Sequence, residues 1–273
     1  QRHSQMPALI ATDHEPGGRM EITLGETFAP AQELGKLPQK ALEKKMRNIA
    51  IQMASDLDAW GINMNFYPVV DVDVQSAGER GPLSYRMLSH DPKKVSQAAR
   101  VFIKTLQNRR IAAVAKHYPG HGATTLDSHK GLPRVKAGEN LLRKRHWPPF
   151  QAAIKADVAA IMTAHLQYLN LATEKPATFS KYFLKDKLRS DWNYQGVVIT
   201  DDLTMGAVHM NYSLPEAALQ ALKAGADILL ICQRNARYAT PEKVYDYLVK
   251  KIHRGAIDIQ RINEAYRRVA RLK

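Results

Sequence analysis

Cysteine is almost missing from this chain: Cys232 is the single one in 273 residues. That excludes an internal disulfide and favours a reducing compartment, although a cysteine-poor protein tolerates export. No run of about 18 apolar residues occurs, so no membrane-spanning helix is expected. The sequence opens at Gln1 without a basic, apolar and small-residue leader, and no signal peptide is visible. Aromatics are sparse at 7%, no long basic run is interleaved with them, and the basic stretches KKMR, LLRKR and YRRVARLK are each short. The formal charge of +14 therefore reads as lysine and arginine spread over solvated helix faces, or as attraction to anionic material. A nucleic-acid partner is not expected. Neither a G-x-G-x-x-G turn nor a Walker A sequence is present, so the usual phosphate cradles of nucleotide-binding sheets are absent.

What the chain does have is a succession of short apolar runs bounded by turn residues: 8–13, 62–72, 111–118, 159–165, 196–202 and 227–233. Near-continuous apolar content is the mark of strands buried on both faces. Helical periods fill the gaps. Leu42, Met46, Ala50, Met53, Leu57 and Trp60 form one stripe that Gly61 is placed to end, and Val95, Ala98, Ala99, Phe102 and Leu106 form another. Ile259, Ile262, Ala265, Val269 and Leu272 predict a last amphipathic helix. Alternating strands and helices imply parallel β/α units. With no linker or low-complexity segment, residues 1–273 read as a single domain.

Polar residues collect at the carboxyl ends of these runs: Asp13, Asp71, Lys116 with His117, His165, Asp201 with Asp202, and Gln233. Charge there is costly unless it faces a site, and active sites of β/α barrels are built from that end of many strands. A (β/α)8 barrel of the TIM type is therefore predicted, with six of its eight units recognisable and the first two missing from the N-terminal side.

Two stretches carry chemistry. In GVVITDD an acidic pair follows buried strand residues directly. Asp201 is expected to point into the barrel mouth, as nucleophile or metal ligand, while Asp202 holds loop or helix backbone; a plain cap or salt bridge is the structural alternative. KHYPGHGATTLDSH, residues 116–129, contains three histidines and an aspartate. His117, His121, Asp127 and His129 could form a metal set by residue type, but Pro119-Gly120 prevents the helix that would align the first two. A proton-transfer pair is the other reading. Asp127 and His129 flank one residue, so an extended segment would turn both to one side. A carboxylate on one imidazole nitrogen would fix the tautomer and leave the other free to move a proton. Lys116 and His117 would then hold substrate, and the glycines would let the loop move.

These residues resemble a known family. K-H-Y-P-G-H-G, then D-S-H-K-G-L-P, then G-V-V-I-T-D-D-L-T-M-G-A, are similar to the bacterial β-N-acetylglucosaminidases of glycoside hydrolase family 3. INMNFYPVVDV, the R-x-x-x-x-D-P of 86–92, IMTAH and AGADILLIC support the likeness over essentially the whole chain. It implies a (β/α)8 barrel, a nucleophile at Asp201 and an acid/base dyad of His129 supported by Asp127. Sugar-binding roles map onto Asp13, Arg86, Lys116 and His117. The implied reaction is retaining removal of terminal β-linked N-acetylglucosamine from cell-wall muropeptides in peptidoglycan recycling, with no cofactor and no metal, in the cytoplasm unless a leader is removed. A phosphorolytic variant and a non-catalytic wall-binding relative are the alternatives. One departure stands out: the family's D-x-E-G-G-R is here D-H-E-P-G-G-R, lengthened by Pro16, which secures Asp13 but blurs any role for Arg19.

Overall fold

A computed structural model of the chain describes residues 8–17, 27–74, 81–171, 175–232 and 240–272. Arg19 and Gln233 lie outside them. Five strands, β1 (Ala11–Thr12), β2 (Met64–Asn65), β3 (Ala112–Tyr118), β5 (Ala160–Thr163) and β7 (Val197–Ile199), pair side by side in chain order, all parallel. The sixth predicted run adds a single parallel bridge, Ile199 to Ile228. The six units expected from the sequence thus fall in order, as a partial barrel. A second small parallel pair, β4 (Arg134–Val135) with β6 (Gln167–Tyr168), was not foreseen.

Both faces of the sheet are buried, as continuous apolar runs require. Met64, Phe66, Val114, Ala160, Met162, Val197 and Ile199 form the inner cluster, at the two-residue spacing of a strand face. Ala113, Ala115, Ile161 and Val198 point the other way into the main core beneath the helices. The predicted helices occupy Gln39–Ala59, Pro92–Gln107 and Ile259–Arg271. The first stops at Gly61, whose φ of +70° suits glycine. Asp91 caps the second through Lys93 N, with Pro92 at its first position, and Asp258 caps the third through Gln260 N. Val269 and Leu272 of this last helix pack against the inner cluster. No described helix is long and apolar enough to cross a membrane.

The basic residues are not all on solvated faces. Asp227, fully buried at the start of the sixth run, pairs with Arg189 (2.7 Å), Arg261 (2.8 Å) and Arg268 (3.2 Å) and accepts from Val198 N (2.9 Å). This cluster ties the C-terminal helix and the 182–191 helix to the amino end of the sheet, opposite the polar strand ends.

Candidate active site

At the carboxyl ends of the strands lies a cavity of about 270 Å³ lined by Asp13, Arg86, Lys116, His117, Asp127, His129 and Asp201. All seven site residues predicted from the sequence therefore share one space. Lys116 and His117 are consecutive, which an undistorted strand would send to opposite faces. The pairing of β3 with β5 slips between Ala115 and Tyr118, and both side chains reach the cavity.

Beside β1, charges are matched. Lys116 Nζ donates to Asp13 Oδ1 (2.6 Å) and Glu15 Oε1 (3.2 Å). Arg86 grips Glu15 with two bonds, Nε to Oε2 (2.9 Å) and Nη2 to Oε1 (2.8 Å). Burial alone would raise the Glu15 carboxyl, but Lys116 and Arg86 override it and hold its pKa at about 2. Glu15 is the residue that sequence reasoning missed. Its signal is in D-H-E, where Glu15 stands two positions beyond Asp13 and just before the inserted Pro16.

A second buried carboxylate, Asp71, organises the start of the histidine-rich stretch. Its Oδ2 accepts from the backbone N of His117 (3.0 Å) and from its ring Nδ1 (2.7 Å), while Oδ1 accepts from His121 N (2.6 Å). Burial opposes ionisation of Asp71, yet the histidine contacts keep its pKa below the ordinary carboxylate value. The glycines here serve packing: a Cβ on Gly120 would strike the His146 ring, and one on Gly122 the carbonyl of Val72.

His121 and His146 are both buried, and burial drives each pKa down to about 4. Since a histidine in the unfolded chain titrates near 6.5, the unfolded state binds more protons between about pH 6.5 and 4. Their contribution is complete above that window and is lost as pH falls through it. We expect the Tm to drop by roughly 10 °C from pH 7 to pH 4.5, before most carboxylates titrate. A flat Tm over this range in thermal melts would contradict it, and His146→Phe should flatten part of the slope.

The dyad is formed, but by a turn and not by an extended segment. Asp127 Oδ1 accepts from His129 Nδ1 (2.8 Å) and from His129 N (2.9 Å), and Lys130 N returns to Asp127 O (2.9 Å). Burial raises the Asp127 carboxyl, but the two His129 bonds and the neighbouring His129 and Lys130 charges together bring it below its usual value. His129 remains half exposed at the cavity rim.

Asp201 and Asp202 divide as the sequence implied. Asp202 accepts from Thr204 N (2.9 Å), Thr204 Oγ1 (2.7 Å) and Cys232 N (3.0 Å), clasping the following loop. Asp201 faces the cavity and keeps one local bond, from Asp202 N (2.8 Å). Burial pushes its carboxyl up, but His117, His165, that N–H and Lys116 outweigh burial and hold it below the ordinary range. His165, a strand-end residue with no assigned role, braces this loop by donating from Nε2 to the carbonyl of Asp202 (3.0 Å), with Nδ1 2.8 Å from Thr178 Oγ1. The metal-like set is drawn into separate pairs, His117 with Asp71 and His129 with Asp127, and among the described residues no three potential ligands are grouped around one point.

Parallel β/α units with ionised groups at the strand ends place the molecule among barrel proteins that work at the carboxyl face of the sheet. Residues 1–272 match the glycosyl hydrolase family 3 N terminal domain, and the chain belongs to that family. It is 31% identical over 290 residues to Beta-hexosaminidase A of Pseudoalteromonas piscicida, covering 100% of this chain and 48% of that protein. With a Beta-hexosaminidase of Tolumonas auensis it shares 34% identity over 241 residues, 84% of this chain and 68% of that one. A family 3 β-N-acetylglucosaminidase from Paenibacillus sp. superposes with a TM-score of 0.84 at 31% identity, covering 98% of this chain and 50% of that chain. The chain thus spans about half the length of two of these three relatives.

Proposed function

We propose that this chain carries the catalytic site of a retaining exo-β-N-acetylglucosaminidase that acts on N-acetylglucosamine-terminated cell-wall fragments. The observation carrying this reading is one cavity holding an Asp201 kept ionised by its neighbours together with a His129 whose Nδ1 is committed to Asp127. Asp201 attacks the anomeric carbon and forms a glycosyl-enzyme, while His129 gives a proton from Nε2 to the departing oxygen. His129, now neutral, takes a proton from water, whose oxygen attacks the same carbon and displaces Asp201. Two displacements retain the β configuration. Asp127 keeps the imidazole in its tautomer and stabilises the imidazolium.

Around Asp13 the sugar meets an acceptor that Lys116 already neutralises, so Asp13, Lys116, Arg86 and His117 offer hydrogen bonds without a large net charge. Phe66, Met162 and Leu230 close the cavity below, leaving space suited to one terminal sugar. The β-hexosaminidase names of the relatives support the substrate class, and the +14 charge suits anionic wall fragments.

Trapping tests the reading directly. The native full-length protein should hydrolyse a chromogenic β-N-acetylglucosaminide. A 5-fluoro glycosyl fluoride analogue should leave a sugar adduct on the peptide containing Asp201, identified by mass spectrometry. Sugar binding without turnover, or an adduct on another residue, would overturn it.

A further inference from the structure

The dyad loop is not held at its ends alone. The side chain of His129 is half exposed and that of Asp127 a third exposed, yet Ser128 between them is 6% exposed. Its carbonyl accepts from Ala207 N at 2.9 Å, and its Oγ lies 3.4 Å from Nε2 of the buried His121. Directly beside this contact is Gly206, where a Cβ would clash with the carbonyl oxygen of His129 and come within 3.1 Å of the Lys130 carbonyl carbon. Gly206 and Ala207 follow Asp201 by five and six residues. They open the short helix Gly206–His209, directly after the loop that Asp202 clasps to Thr204 and Cys232 and that Leu203 N fixes further through Leu230 O (3.0 Å).

We propose that Gly206 and Ser128 are positioning residues for acid/base catalysis: the acid/base loop docks, backbone to backbone, on the start of the short helix that directly follows the nucleophile's loop. The missing side chain at position 206 makes that approach possible. Proton donor and nucleophile are thereby set against one scaffold, although 72 residues of sequence separate His129 from Asp201. The proposal rests on the glycosidase reading above and adds a determinant to it. Any side chain at position 206 lifts the loop, and displacement of a catalytic group by about 1 Å costs about a hundredfold.

The test compares the intact protein with Gly206→Ala and Ser128→Ala on two β-N-acetylglucosaminides, one with a poor alkyl leaving group and one with a dinitrophenyl group that departs without protonation. With Gly206→Ala, kcat/KM for the alkyl glycoside should fall by about tenfold to a hundredfold, and that for the dinitrophenyl glycoside by less than about threefold. Azide should restore kcat on the dinitrophenyl substrate and yield the β-glycosyl azide: a C–N bond forms, the C–O bond to Asp201 breaks, and no base is needed. Ser128→Ala should give the same pattern more weakly, and it decides the matter if Gly206→Ala shows no cooperative melt. Equal losses on both substrates, or no loss with either folded variant, would overturn the docking role while leaving wild-type turnover and the Asp201 adduct intact. Absence of those two would instead remove the glycosidase reading.

Discussion

On the glycosidase reading, Asp201→Ala should lower kcat/KM toward an aryl β-N-acetylglucosaminide by roughly a thousandfold or more, because it removes the group proposed to form the covalent intermediate. Neighbouring charge holds Asp201 ionised in the resting site, and His117, His165 and Lys116 would remain after the substitution. The variant should therefore still bind sugar, with KM changed less than kcat. Azide offers a distinguishing check. In the space left by the carboxylate it can attack the anomeric carbon once, giving the α-glycosyl azide, the opposite anomer to that expected when only the acid/base loop is displaced. Retention of full activity, or a β product, would remove Asp201 from the nucleophile's role.

The largest expected effect on stability is at the other end of the sheet. Asp227→Ala leaves Arg189, Arg261 and Arg268 crowded together without their shared carboxylate, and leaves Val198 N without its acceptor. Breaking a buried ionic cluster by removing one partner costs about 3–5 kcal/mol, since the remaining charges stay buried and uncompensated. For a chain of this size the Tm should fall by roughly 10 °C. Chemical denaturation should show a lower midpoint with an unchanged slope. A midpoint equal to wild type would mean that the three guanidinium groups find other acceptors. Replacing Arg268 alone, the longest of the three contacts and partly exposed, should cost much less.

These two residues also show what could be read in advance. Asp201 was legible because a carboxylate directly after GVVIT has no packing reason to be there, and Lys116 and His117 were legible on the same ground. Asp227 begins a similar run, yet nothing local tells that three arginines from two distant helices converge on it. Asp71 was recognisable as a polar strand end, but its partners lie 46 and 50 residues further on, and pairing over such distances has no periodic signature. The short strands β4 and β6, two residues each, cannot display a strand period. Gly206 lies within T-M-G-A, which resembles a family motif, while the role proposed for it depends on the carbonyl of a loop that the sequence places far upstream. The pairing of Asp127 with His129 was foreseen, and a turn achieves it because Asp127 binds the His129 backbone as well as its ring.

The inner cluster beneath the site has a kinetic consequence. Met162 and Phe66 belong both to that packed cluster and to the cavity wall, and Val269 and Leu272 press on the cluster from below. A polymer entering such a recess cannot thread onward, so on the glycosidase reading each freed monosaccharide must back out by the route its parent chain used. Catalysis would be distributive, with complete dissociation after every cleavage, and the monosaccharide product would compete with the next chain end for the same space.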